Sequence, residues 1–252
     1  MTESAITQQQ KQFKILLIGD NCKDIYQYGT IDRLSPEAPV PVFVPTYTEE
    51  RDGMAGNVYN NLKALGCEVS YLHGETSTKT RIIDARSKQQ IVRIDNDIKS
   101  TPITFETAIP DVYDAVVVSD YNKGTVSYEL IEELISLSIP IFIDTKKTDL
   151  ERMQGAWVKI NDLEYSKITS ECSGLIVTHG AHGASAIHHD FTCPAPIVEV
   201  SDVTGAGDTF LAALTVEYLN TKNIEQAIKF AVRASAITVQ HFGCYSPSIT
   251  EI

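Results

Sequence analysis

The sequence predicts an α/β fold: a mostly parallel central sheet with helices on both faces, in three layers, and a small β lid. Three observations predict it. From Ala115 onwards, short apolar runs alternate with helical stripes, which is the pattern of a parallel sheet with crossover helices. The first apolar run ends in Gly-Asp, as a buried strand does when it delivers polar side chains at its carboxyl end. A proline-rich stretch and a group of short β-type runs stand apart from both and read as the lid.

The elements follow in chain order. Lys14 to Gly19 (KILLIG) is the first strand, and it presents Asp20 and Asp24 beyond its end. Leu34 to Val44 (LSPEAPVPVFV) carries Pro36, Pro39 and Pro41, which forbid a helix or a central strand and leave an extended edge segment. Val58, Leu62 and Leu65 share one face of a helix that Gly66 can terminate. Val69–Leu72, Arg81–Ala85 and Ile91–Ile94 are short strands. Ala115–Val118, Ile139–Ile143, Trp157–Ile160 and Leu175–Thr178 are the parallel strands, with a helical stripe at Leu130, Ile131, Leu134 and Ile135. Two helices, Ala206–Leu219 and Ile224–His241, close the chain. No repeat or linker divides it, so residues 1–252 read as one domain with lid segments at 34–48 and 79–94.

Composition narrows the function. The chain has 252 residues, 43% of them hydrophobic, enough for one large core. Its net charge of −12 would repel a phosphate backbone, so nucleic acid is not an expected partner. No apolar run approaches the roughly 20 residues that span a bilayer, and Met1–Gln12 is polar, unlike a signal peptide. The five cysteines form no CxxC pair. A cytoplasmic protein is expected.

Ligands of open parallel sheets sit beyond the carboxyl ends of the strands. The segment there with most chemistry is SDVTGAGDTF, Ser201–Phe210. Gly205, Ala206 and Gly207 open a helix, and small residues at a helix N-terminus let backbone N–H groups approach an anion. Asp208 in the first turn would repel a phosphate, but it can accept the proton of an attacking hydroxyl. In isolation, a GxGD string is more often a turn with a carboxylate on the helix dipole.

The whole DVTGAGDTF string resembles the signature of the ribokinase-like (PfkB) carbohydrate kinases. Within that family, the chain is similar to the kinase domains that phosphorylate D-glycero-β-D-manno-heptose 7-phosphate at O1. The similarity extends over GDNCKDIYQYG (19–29), LSPEAPVPV (34–42), SDYNKG (119–124), IDTKKTDLERMQGA (143–156), NDLE (161–164) and VTHGAHG (177–183). It implies a ribokinase-like sandwich, ATP as co-substrate and Mg²⁺. By the same resemblance Asp208 is the base, and Gly205, Ala206 and Gly207 form the anion hole. Asp24 and the loop Gly53–Asn57 hold sugar hydroxyls. Asn161 and Glu164 organise Mg²⁺ through water. Thr178, Gly180 and Gly183 line the nucleotide, and Lys146 meets a phosphate.

Lys79, Arg81, Lys88 and Arg93 are the densest basic positions; they suit either a sugar phosphate or a solvated strand face, and Lys79 and Arg81 are taken as substrate residues. Asp120 reads as a turn former. The histidines at 179, 182, 188 and 189 flank turn glycines and read as structural. A short proline-bearing flap is marginal alone, so the lid is expected to pair with a second copy's lid in a homodimer.

The chain also departs from the family. HGETS leads straight from Leu72 towards Lys79 where relatives carry a further helix. The stretch after Glu164 is short. Asp52-Gly53-Met54-Ala55-Gly56 stands where two adjacent glycines are usual. No nucleotidyltransferase segment follows in this sequence, so the next step of the heptose pathway is not expected of it. A non-catalytic sugar-phosphate or nucleotide binder of the same fold is the alternative. A dinucleotide oxidoreductase is disfavoured, because no GxGxxG turn follows the first strand.

Overall fold

The computed structural model describes residues 12–105 and 112–252; the N-terminal glutamine run lies outside them. One ten-stranded sheet organises these residues. Its strands are β1 (Lys14–Leu34), β2 (Pro41–Met54), β3 (Glu68–Asp84), β4 (Gln90–Asn96), β5 (Ala115–Asp120), β6 (Ile141–Thr145), β7 (Trp157–Asn161), β8 (Leu175–Thr178), β9 (Ala184–Ala186) and β10 (Phe191–Cys193). The helices are α1 (Ala55–Ala64), α2 (Tyr128–Ile135), α3 (Asp162–Tyr165), α4 (Ala206–Thr221) and α5 (Ile224–Thr238). The order across the sheet is β10-β9-β8-β7-β6-β5-β1-β3-β4, with β2 added on the far half of β1.

The parallel strands are buried on both faces, and their alternation splits the core in two. Ile15, Leu17, Val117 and Phe142 face α1, α4 and α5. Leu16, Ile18, Val118, Ile143 and Val158 face α2. This is the expected three-layer arrangement, with near-continuous apolar strands because neither face meets water. The chain leaves β1 towards β3 on one side and β5 on the other, so the strand order reverses at β1. The crevice at such a reversal is where ligands of these sheets bind.

The lid differs from its sequence-based boundaries. Residues 21–34 form no loop after the first strand; β1 continues through them into the lid and pairs there with β2 (Asn21↔Met54 to Leu34↔Pro41). β3 also runs unbroken from the body into the lid, where it lies beside β1 and pairs with β4. Cys22, Asp24, Tyr26 and Tyr28 are the buried alternate positions of this extension. A carboxylate at one of the four hides the period-2 pattern that marks a half-buried strand. The prolines behave as expected. Pro36 and Pro39 lie in the loop before β2, and Pro41 is the first residue of β2, which pairs with β1 alone.

Candidate active site

Asp208 sits in the first turn of α4, buried, at the crevice beside β1. The Nδ2 of Asn57 donates to its Oδ2 at 2.8 Å, and the hydroxyl of Tyr121 donates to its Oδ1 at 3.1 Å. Burial pushes the carboxyl up to about 6, while the Asn57 hydrogen bond, Lys159 and Tyr121 pull the other way. The result is a carboxylate that is charged at neutral pH yet basic enough to take a proton. Each support is itself fixed. Asn57 is fully buried in α1, within reach of Asn61. Tyr121 rides on a loop whose amides at 121, 123 and 125 all donate to the Asp20 carboxylate. The phenol is held protonated by burial and by Asp208 itself, so it stays a donor.

The α4 N-terminus is shaped around this carboxylate. Gly205 has φ 82°, and a Cβ there would come within 2.6 Å of the Asn57 amide nitrogen. Both conditions select glycine. The first-turn amides of a helix have no intrahelical acceptor. Of the three predicted anion-hole donors, however, the amide of Ala206 closes a turn on the Val203 carbonyl at 3.3 Å.

A buried ion pair that the sequence reading missed lies across the same crevice. Lys159 on β7 donates to Asp144 Oδ2 on β6 at 2.7 Å, and both side chains are under 10% exposed. Burial lowers the ammonium's affinity for its proton, but the Asp144 carboxylate outweighs this and raises it above the ordinary lysine value. Lysine in the apolar run Trp157-Val158-Lys159-Ile160 was the available signal.

At the carboxyl end of β7, Asn161 and Glu164 do meet, as the two halves of a capping box on α3: Asn161 Oδ1 accepts from the Glu164 amide and Glu164 Oε2 from the Asn161 amide, both at 2.9 Å. Lys146 contacts Glu164 Oε1 and lies over the Tyr121 ring. A carboxylate offers about four lone-pair sites, so Glu164 can still accept from the waters of a hydrated cation. The residues present therefore fit a water-mediated Mg²⁺. Thr178 ends β8 beside Asn161; Gly180 is the first residue of the 3₁₀ turn that follows, and Gly183 comes directly after it. His179 bridges Asp162 and Ser185 (2.6 and 3.1 Å) and ties that turn to α3.

On the opposite side, Asp24 is buried and paired with Arg81, whose guanidinium stacks over Tyr26. Arg51 covers Tyr26 as well. A cleft of about 260 Å³ opens nearby, lined by Lys23, Glu50, Arg51, Asp52, Asn57 and Cys244 among others. Burial, with Asp208 and Asp24 nearby, pushes the Cys244 thiol up to about 12 and keeps it neutral. Gly53 lies directly against the Asp24 carboxylate. Lys79 stands opposite Asp95 in the β3–β4 register, where Asp95 is paired with Arg93, and is half-buried two residues from Arg81. Met54, at the altered glycine pair, adopts φ 52° and ψ −132°, a conformation that glycine tolerates far better. Asp120 is structural, as expected: it accepts from Thr145, the Asn122 amide and Lys147.

Residues 143–251 match the model of the pfkB family carbohydrate kinases. Over that stretch the chain is similar to the PfkB carbohydrate kinases. The matched span contains Asp144, Lys159, Asn161, Glu164 and Asp208; Asp24, Asn57 and Arg81 precede it. Curated relatives extend the similarity over nearly the whole chain. The bifunctional protein HldE of a Nitratiruptor species is 34% identical over 299 residues, covering 95% of this chain and 64% of the relative. The bifunctional protein HldE of Haemophilus ducreyi is 30% identical, covering 96% and 63%. The chain thus spans just under two thirds of these relatives' lengths. The first alignment is longer than this chain's 252 residues, in keeping with the shortened stretches.

Among solved structures, ribokinase from Thermotoga maritima superposes with a TM-score of 0.69 at 17% identity, covering 95% of this chain and 97% of that one. Arabidopsis thaliana ribokinase, solved with ribose and ATP, gives 0.69 at 15% identity, covering 96% and 97%. The domain has the ribokinase-like fold.

Proposed function

We propose that the domain transfers the γ-phosphoryl group of ATP to a sugar hydroxyl, and that the sugar is a heptose 7-phosphate accepting at O1, or a similar sugar phosphate. The observation that carries this reading is Asp208: a buried carboxylate at the mouth of α4, braced by Asn57 and Tyr121 and poised near neutrality. A protein that only bound phosphates would gain nothing from a carboxylate there.

The chemistry needs alignment, charge neutralisation and one base. The acceptor oxygen attacks the γ-phosphorus while the bond to the β–γ bridging oxygen breaks, its electron pair leaving on ADP. The hydroxyl proton passes to Asp208. Asn57 and Tyr121 hold the two carboxylate oxygens so that a free lone pair faces the acceptor. Gly205, Ala206 and Gly207 form the wall against which the phosphoryl group passes, with the α4 dipole behind it. Mg²⁺, held through water by Glu164 and Asn161, supplies charge to the triphosphate when bound. Lys146 meets the same phosphates, and Thr178, Gly180 and Gly183 border the nucleotide.

On the acceptor side, Asp24 and the Gly53–Asn57 segment take sugar hydroxyls, while Arg81, Lys79 and the neighbouring Arg51 favour an acceptor that already bears a phosphate. The outward apolar residues Val44, Tyr47, Val92 and Ile94 support pairing of the lid with a second copy, in a cytoplasmic homodimer. Light scattering at working concentration tests this, and a monomer contradicts it.

The test of the function is ATP consumption with Mg²⁺ across heptose 7-phosphate, hexose phosphates, ribose, fructose and adenosine. Turnover that requires a phosphorylated sugar is expected. No turnover with any acceptor contradicts the kinase reading, and equal turnover with unphosphorylated sugars contradicts the role given to the arginines.

A further inference from the structure

Lys159 has no role in the chemistry described above, yet its placement is demanding. An ammonium buried in the middle of a parallel sheet loses its hydration, and an ion pair at such a site brings no net stability over a well-packed apolar pair. Val158 and Ile160, its neighbours on β7, show that the strand packs well with apolar residues. The register of β6 and β7 sets Asp144 directly beside Lys159. Asp144 accepts one of the three ammonium protons, and among the described residues no other side-chain acceptor lies within bonding distance of that nitrogen.

The remaining protons have a direction. A Cβ on Gly207 would come within 2.9 Å of Lys159 Nζ. Any residue larger than glycine at 207 would therefore displace the ammonium from the α4 N-terminus. The carboxylates that act on Lys159 are Asp144, Asp208 and Glu164, on three different elements around the crevice. An incoming triphosphate adds further negative charge to that group, and among the described residues the buried cation within it is Lys159.

We propose that the Lys159 ammonium is part of the phosphoryl-transfer site, anchored by Asp144 and directing its free N–H bonds through the gap left by Gly207 to the oxygens of the transferring phosphoryl group. This rests on the kinase reading of the same site. The ammonium neutralises charge on the equatorial oxygens as the bond to ADP breaks, and it takes no part in the proton transfer to Asp208.

The test compares wild type, Lys159→Met and the double variant Asp144→Asn/Lys159→Met, titrated calorimetrically with ADP and with β,γ-methylene-ATP, each with Mg²⁺. The single variant leaves Asp144 buried without a partner and is expected to lose thermal stability; the double variant removes both charges and is expected to regain it. In both, the preference for the ATP analogue over ADP is expected to fall by about tenfold or more, with ADP affinity within about twofold of wild type, the size of one lost charge-assisted hydrogen bond. A folded double variant that keeps the wild-type preference overturns the inference and makes the pair a β6–β7 staple, with the kinase reading intact. Wild type that binds neither nucleotide overturns the kinase reading and the inference with it.

Discussion

Replacing Asp208 by asparagine is expected to stabilise the protein while abolishing its turnover. The carboxyl has an ordinary value of 3.8 in the unfolded chain and about 6 in the folded one. The folded state therefore holds the proton more tightly, and stability is greatest at low pH and falls as pH rises from about 4 to 6. Above that window, keeping Asp208 ionised inside the fold costs about 3 kcal/mol. Asparagine has the same shape, can still accept from Asn57, and carries no charge. The gain at pH 8 is thus bounded by about 3 kcal/mol, or roughly 6–12 °C in Tm for a chain of this length. At pH 5 the wild-type carboxyl is largely protonated in the fold, so about half of that gain should vanish. Differential scanning calorimetry of both proteins between pH 5 and 8 reads this directly. An Asp208→Asn variant no more stable than wild type at pH 8, or a difference that does not shrink on acidification, refutes the claim that burial strains this carboxylate.

Two further predictions follow from the same geometry. The acid limb of kcat should fall at about pH 6, because only ionised Asp208 can accept the proton, and Asn57→Leu should move that limb upward by removing the hydrogen bond that most favours the charge; a limb that stays in place, measured by pH–rate profiles, removes Asn57 from this role. Gly205→Ala places a methyl against the Asn57 amide at a residue with φ 82°, so it should cost about 1–3 kcal/mol in urea unfolding and lower kcat along with it; a fully active, equally stable variant contradicts the packing at the α4 entrance.

Much of the fold was legible because it rests on patterns that survive without tertiary context. Apolar runs bounded by turns marked β5 to β8, and the glycine-rich entrance of α4 marked the site. The lid was harder. β1 continues past Gly19 into a strand whose buried positions include Asp24, and a carboxylate facing a partner such as Arg81 breaks the apolar alternation that a sequence displays. The candidate site was legible where a residue acts through its own local motif: Asn161 and Glu164 form a capping box, and Asp208 opens its helix. Tyr121, Asp144 and Lys159 act across strands, and no local spacing records that they converge. Asn57 lies between the two cases. The sequence put it at the end of a loop, whereas β2 runs directly into α1 and Asn57 lies inside that helix; its partnership with Asp208, 151 residues away, exists only once α1 packs on α4.

The central claim is that Asp208 serves as the base for phosphoryl transfer from ATP to a sugar. The most direct measurement is the single-turnover rate of wild type and Asp208→Asn with the best acceptor of the sugar panel, alongside calorimetric ATP affinity of both proteins. Retained nucleotide binding is expected, with a rate lowered by about 10²-fold or more, the usual contribution of a positioned base. A variant that binds ATP and transfers the phosphoryl group at close to the wild-type rate would contradict the claim.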